Sequence, residues 1–200
     1  MNQCNKCHEF GIGFNRIYKP AEFIEGKLDS DIWIIGLNPG KEEGWTDEER
    51  NSDDLADCFN DLDKIHRYFK DFKKVSPKLF AKFGKANGVA HTDLVKCSSK
   101  SWPPEMCKGK KNENQLIQNC KPYLVEQITL HKPKMIICNG APVSHHIKDI
   151  LPVANRLSDT TYESDINGTK VIIVLSGFIG RIDDFSKRRL GYEVERLLGL

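Results

Sequence analysis

Two hundred residues, 39% of them hydrophobic and 29% charged, have the make-up of one soluble globular domain able to bury a substantial core. A formal net charge of +2 gives no chain-wide positive field that would by itself select nucleic acid; charge is segregated only locally, acidic over 42–63 and basic over 108–111 and 187–189. No apolar stretch approaches the roughly 20 residues of a membrane span, and the N-terminus is polar, which predicts a cytoplasmic protein with no membrane partner.

Residues 1–27 predict an irregular terminus that carries a Cys4-x-x-Cys7 pair, whose spacing lets both thiolates face one metal centre. Seven cysteines in a cytoplasmic chain argue for metal or cluster ligation over disulfides. A first buried strand follows over 31–36, built on Ile32-Trp33-Ile34-Ile35. It breaks sharply at Gly36-Leu37-Asn38-Pro39-Gly40. Glycine and proline there set backbone angles most residues avoid, and one amide side chain is left at the strand end. Taken alone this is ordinary turn chemistry. Its place at the carboxyl end of a strand is also where open α/β sheets bind ligands.

Apolar residues at three- and four-residue steps (Leu55, Phe59, Leu62, Ile65, Phe69) predict a helix over 53–72. A second strand is predicted over 88–95, then a loop over 98–114 containing Trp102-Pro103-Pro104. A helix over 115–130, a strand over 134–139, a helix over 142–151, a strand over 170–175 and a helix over 188–198 complete the series. Strands alternating with helices predict crossover units, hence an α/β fold: three-layer α/β/α around a central, mostly parallel four-stranded sheet, in a single domain spanning 1–200.

Cys97 ends the second strand and Cys120 lies near the start of the next helix, with Cys107 between them. Four thiolates suit tetrahedral zinc or an iron–sulfur cluster. The blander alternative makes Cys97, Cys120 and Cys138 small buried hydrophobes. It suits Cys138 and Cys58, and suits Cys4 and Cys7 poorly because a polar terminus offers them no core. His145-His146 point to different sides of a helix and make a poor metal pair. His91 is given no role.

Taken in order, several segments resemble the uracil-DNA glycosylase superfamily, in particular its iron–sulfur branch. They are Cys4-x-x-Cys7, the Gly36–Gly40 turn, His91-Thr92-Asp93-Leu94-Val95-Lys96-Cys97, Cys120-Lys121-Pro122-Tyr123-Leu124 and Lys132-Pro133-Lys134-Met135-Ile136-Ile137-Cys138-Asn139-Gly140-Ala141. The Asn-Pro form of the turn is similar to the mismatch-specific glycosylases. The resemblance implies a DNA base-excision glycosylase, acting as a monomer on DNA. Its substrate would be a uracil-like, deaminated or mismatched base flipped out of the duplex.

The resemblance further implies that Cys4, Cys7, Cys97 and Cys120 hold a structural four-iron four-sulfur cluster, with zinc as the alternative metal and Cys107 competing with Cys120. It implies that Asn38 holds the attacking water, with Gly36, Leu37, Pro39 and Gly40 shaping the site around it. Asp93 stands where the branch has an asparagine that reads uracil's edge. Ionised aspartate only accepts hydrogen bonds, so Asp93 disfavours uracil. The superfamily's second catalytic motif begins with His or Asn, then Pro-Ser; the matching place here reads Leu175-Ser176-Gly177-Phe178-Ile179-Gly180-Arg181. Gly177 and Arg181 are expected at the substrate, and Phe178-Ile179 as either a wedge in the base stack or core. The missing imidazole or amide keeps a second function in play, a catalytically silent iron–sulfur module that binds nucleic acid. A zinc-stabilised nucleotide- or RNA-binding protein is the third.

Overall fold

The computed structural model describes residues 2–40, 51–107 and 109–200. Four strands form its parallel centre: β3 (Ile32–Gly36), β4 (Val89–Asp93), β5 (Met135–Asn139) and β8 (Thr169–Ser176), in the spatial order β4-β3-β5-β8. They are the four predicted strands. Their near-continuous aliphatic sequences fit strands covered on both faces. Register aligns Ile32 with Val89 and with Met135, and Met135 with Ile172.

The sheet is larger than the sequence predicts. β7 (Thr161–Ile166) and β6 (Asn155–Arg156) add an antiparallel edge beyond β8, making six strands. The signal was present. Asn167-Gly168 joins β7 to β8 with both residues at positive φ (51° and 79°), the dihedral demand that selects Asn-Gly in two-residue hairpins.

Alternation along the strands sends side chains to two cores. Trp33, Ile35, Ala90, Ile136 and Ile173 face α5 (Lys110–His131), α6 (Ala141–Ile150) and the N-terminal segment. Ile32, Ile34, Val89, Ile137 and Val174 face the other side, with α7 (Asp184–Leu198) and the aromatic group of Phe59, Phe69, Phe72 and Phe83. The result is the expected three-layer arrangement.

The helix predicted over 53–72 is instead α1 (Ser52–Asp57), turns, α2 (Arg67–Lys70) and the start of α3 (Phe72–Val75), followed by α4 (Pro77–Phe80). Side chains compete with helical hydrogen bonding here. Asn51 accepts from the amides of Asp53 and Asp54, Asp61 from that of Asp63, and the His66 ring from that of Tyr68. Phe59, Ile65 and Phe69 are nonetheless buried, so the apolar spacing marked a buried face without marking a single helix. The N-terminal region is also more ordered than predicted: β1 (Asn2–Cys4) and β2 (Phe14–Arg16) form an antiparallel hairpin that sets Cys4 opposite Phe14.

Candidate active site and thiol group

Beyond β3 the chain runs beside the segment that leaves β4. Gly36 O accepts from Leu94 N (3.0 Å), Leu37 O from Val95 N (2.9 Å) and Pro39 O from Ser99 N (3.1 Å). Asn38 is oriented by this pairing. Its Nδ2 donates to Ser99 Oγ (2.8 Å) and to Pro39 O (3.0 Å), with Cys97 O at 3.5 Å. Two of those partners are carbonyl oxygens, so a flipped amide would set oxygen against oxygen. The side-chain carbonyl is left as the end that can accept from another group.

A cavity of about 820 Å³ opens at the carboxyl ends of the parallel strands. Leu37, Asn38, Pro39 and Gly40 line it from the turn, Asp93 from β4, and Phe178 and Arg181 from the segment after β8. Asn38 and Asp93 thus share one pocket. Gly36 lies against it: a β-carbon there would meet Asp93 Oδ1, His91 Nε2 (3.0 Å) and Tyr68 Oη (3.1 Å). Glycine at this position lets the Asp93 carboxylate, the His91 ring and the Tyr68 hydroxyl approach the strand backbone. Gly177 packs against Ile182 and is not among the lining residues. The Phe178-Ile179 pair divides. Ile179 is fully buried, whereas Phe178 is 38% exposed, 5.8 Å from the Tyr68 ring and beneath the Arg181 guanidinium.

Among the lining residues given no site role from the sequence are Arg16, Glu25, Tyr68, His91 and Asn139. His91 and Asp93 are two apart on a strand and therefore project to the same face, a signal the sequence did contain. Glu25 could not be found that way. It reaches the site through a backbone bridge to His91, and its carboxylate lies 2.8 Å from His91 Nδ1. Asn139 Oδ1 accepts from Ile179 N (2.7 Å), and its side chain also lies close enough to the Tyr68 hydroxyl to oppose the rise in that phenol's pKa; His91 Nε2 is buried with no hydrogen bond among the described residues.

The electrostatics follow from burial. Asp93 is pushed up to about 6, first by desolvation and then by Glu25, with His91, Lys96 and Arg16 opposing. Burial works against charge on His91, but Asp93 and Glu25 outweigh it and hold the imidazole above its ordinary value. Tyr68 is raised well above the usual phenol value by burial and by Asp93. Lys96 is buried on the opposite side of β4, donating to Thr92 Oγ1 (2.6 Å), Asp93 O (2.6 Å) and Gln127 Oε1 (2.8 Å).

The thiols gather on the side of the sheet that faces α5. Cys7, Cys97, Cys107 and Cys120 are buried in one core, Cys4 packs against it, and all seven thiols of the chain are free. Cys7 lies within hydrogen-bonding range of Cys120 and Cys97, which lower its pKa, while the same contacts and burial raise those of Cys97 and Cys120. The charge of Cys4 reaches Cys97, and Cys4 Sγ lies 3.3 Å from Tyr123 Oη. Cys107 is raised by burial, Glu113 and the charge of Cys7. Among the described residues no three His, Cys, Asp or Glu side chains already stand at metal-holding positions. The donor chemistry nevertheless fits a soft centre: sulfurs drawn from three separate parts of the chain, with no carboxylate among them.

Among the described residues no helix is long and apolar enough to cross a membrane. A family model described as the uracil DNA glycosylase superfamily matches residues 23–177, well over half of the chain. No curated protein matches the sequence significantly.

Proposed function

The chain belongs to the uracil DNA glycosylase superfamily, and we propose on that premise that it is a DNA base-excision glycosylase. It hydrolyses the N-glycosidic bond of a flipped uracil-like, deaminated or mismatched base. The observation that carries this reading is the shared pocket of Asn38 and Asp93, in which Asn38 has its amide hydrogens engaged and its carbonyl without a hydrogen bond among the described residues.

In the reaction, water forms a bond to the anomeric carbon while the bond from that carbon to the base nitrogen breaks. The base leaves with the bonding electron pair, and a proton of the water passes to solvent. Departure of the base leaves an oxocarbenium-like sugar, so the water needs orientation more than deprotonation. Asn38 Oδ1 supplies that by accepting from the water, held in place by Ser99 and the backbone. The target carbon is out of reach in a stacked duplex, which calls for a pocket that takes the nucleotide out of the helix. Half-exposed Phe178 enters the vacated stack, and exposed Arg181 meets phosphate.

Cys4, Cys7, Cys97 and Cys120 are the residues that would hold a four-iron four-sulfur cluster, with zinc as the alternative. Such a group would be structural, tying the N-terminal hairpin and α5 to the end of β4.

The segment 175–181 supports a second reading. It offers the pocket Phe178 and Arg181 but no imidazole or amide to stabilise charge on the leaving base. A catalytically silent module of the same fold would bind DNA through these residues. The deciding experiment incubates purified protein with oligonucleotides carrying uracil, hypoxanthine, xanthine or mismatched pairs and reveals abasic sites with alkali. Strand cleavage that disappears in Asn38→Ala supports the glycosylase. Inactivity on every substrate, with measurable DNA binding, supports the silent module.

A further inference from the structure

Asp93 by itself can only accept, yet two atoms close to each other in the pocket together offer more. His91 Nε2 stands 3.7 Å from Asp93 Oδ1. That is an ion-pair distance when both are charged but too long for a hydrogen bond, so the N–H of one and the lone pairs of the other can still be directed at a third group. Glu25 engages the far side of the imidazole, accepting from Nδ1 at 2.8 Å and fixing the ring. Nε2 is buried with no hydrogen bond among the described residues, and both His91 and Asp93 line the pocket, where the lack of a side chain at Gly36 lets them pack close to the β3 backbone. An unpartnered buried polar atom is costly unless something fills its valence.

We propose that His91 Nε2–H and Asp93 Oδ1 act together as the donor and acceptor that read a base edge on which a ring N–H stands beside a carbonyl. This rests on the glycosylase reading and names its substrate class: lactam and imide bases, such as uracil and deaminated purines. The pair replaces a single amide, which would donate to the carbonyl and accept from the N–H by itself. The donor that Asp93 lacks therefore comes from two residues earlier on the same strand. Asn139 Nδ2, buried in the same pocket beside the Tyr68 hydroxyl, is a further donor for a base with a second carbonyl.

The pair reads such an edge only when Asp93 is ionised and His91 protonated. The charged and titratable groups around it are Glu25 before β3, Tyr68 on α2, Arg16 on β2 and, across β4, Lys96. Asp93 ionises above about 6, and Glu25 and Asp93 hold His91 charged beyond its ordinary range. Recognition should therefore peak near neutral pH.

Binding tests this without requiring turnover. The probe is a duplex carrying 2′-deoxypseudouridine, whose base is joined by carbon and is not excised, compared with the same duplex methylated at the ring nitrogen between the two carbonyls. Wild-type protein should prefer the unmethylated probe by about tenfold. His91→Ala should lose that preference, and His91→Ala/Asp93→Asn should regain it, because an amide supplies donor and acceptor together. Should the single variant not fold, the wild-type preference measured from about pH 5 to about pH 9 decides: it should fall at both ends. A flat profile, a His91→Ala protein that discriminates like wild type, or a double variant that regains nothing overturns the proposal. Wild-type protein that binds both probes equally, yet excises bases in the oligonucleotide assay, overturns the pair and leaves the glycosylase standing. Failure to bind either probe better than undamaged DNA, with no excision, overturns both.

Discussion

Asn38 donates its side-chain amide to Ser99 Oγ over 2.8 Å, which ties the turn after β3 to the segment two residues beyond Cys97. Cys97 O stands 3.5 Å from the same nitrogen. The orientation of the Asn38 amide and the gathering of the thiols thus share one stretch of backbone.

Asn38→Ala should lower the single-turnover excision rate on the order of 100-fold or more, since a positioning group is lost from the reacting centre. Ser99→Ala leaves the amide in place with one anchor fewer and should cost about tenfold. An Asn38→Ala protein as fast as wild type would remove Asn38 from the mechanism.

Anaerobically purified protein should be brown and hold roughly four irons per chain. Cys97→Ser and Cys120→Ser should lose iron, whereas Cys107→Ser should keep it. A bound group present at about a thousandfold over its Kd stabilises by roughly 4 kcal/mol, or near 10 °C in Tm for a chain of this size. Removing the metal should lower Tm by an amount of that order. Iron analysis and melting curves decide both points, and a colourless, zinc-loaded protein would identify the other metal.

Asp93 makes stability depend on pH with a defined sign. Its folded value, about 6, lies above the ordinary 3.8. Between those values the folded protein keeps a proton that the unfolded chain has released, so stability from this group falls as pH rises through that window. Asp93→Asn removes the buried charge and should flatten this pH dependence. His91 works in the same direction: held above its ordinary value, it contributes stability below that value which is lost as pH rises through the folded one. Tm measured against pH for wild type and Asp93→Asn checks the sign; a wild-type protein more stable at pH 6 than at pH 4, with the difference abolished in the variant, would reverse it.

Arg181→Ala should weaken DNA binding about equally across sequences and lower the slope of log K against log salt by about 1. Phe178→Ala should weaken binding to a lesion in duplex DNA by about tenfold and barely affect single strands, where no stack must be opened. Equal losses on both substrates would make Phe178 a general contact instead of a wedge.

The four central strands were legible because buried parallel strands are short aliphatic runs, as in Ile32-Trp33-Ile34-Ile35 and Met135-Ile136-Ile137-Cys138. The edge strand β7 was missed because Thr161-Tyr162-Glu163-Ser164 is too polar to resemble them, although Asn167-Gly168 marked its turn. The 53–72 region misled because periodicity reports which side chains are buried, whereas local hydrogen bonds from Asn51, Asp61 and His66 decide the backbone path.

For the site, the residues by themselves determined that an amide stands at the end of a strand and that Asp93 occupies the end of another. Strand ends in a parallel sheet lie on one side, which is why Asn38 and Asp93 meet. Only the tertiary structure decided what surrounds them. Glu25 meets His91 across 66 positions of chain, and Asn38 meets Ser99 across 61. Cys4 and Cys7 approach Cys97 and Cys120 only after the N-terminal segment has packed against α5. Hydrogen bonding and charge act over a few ångströms of space, and no spacing along the chain records which distant residues the fold brings within that range.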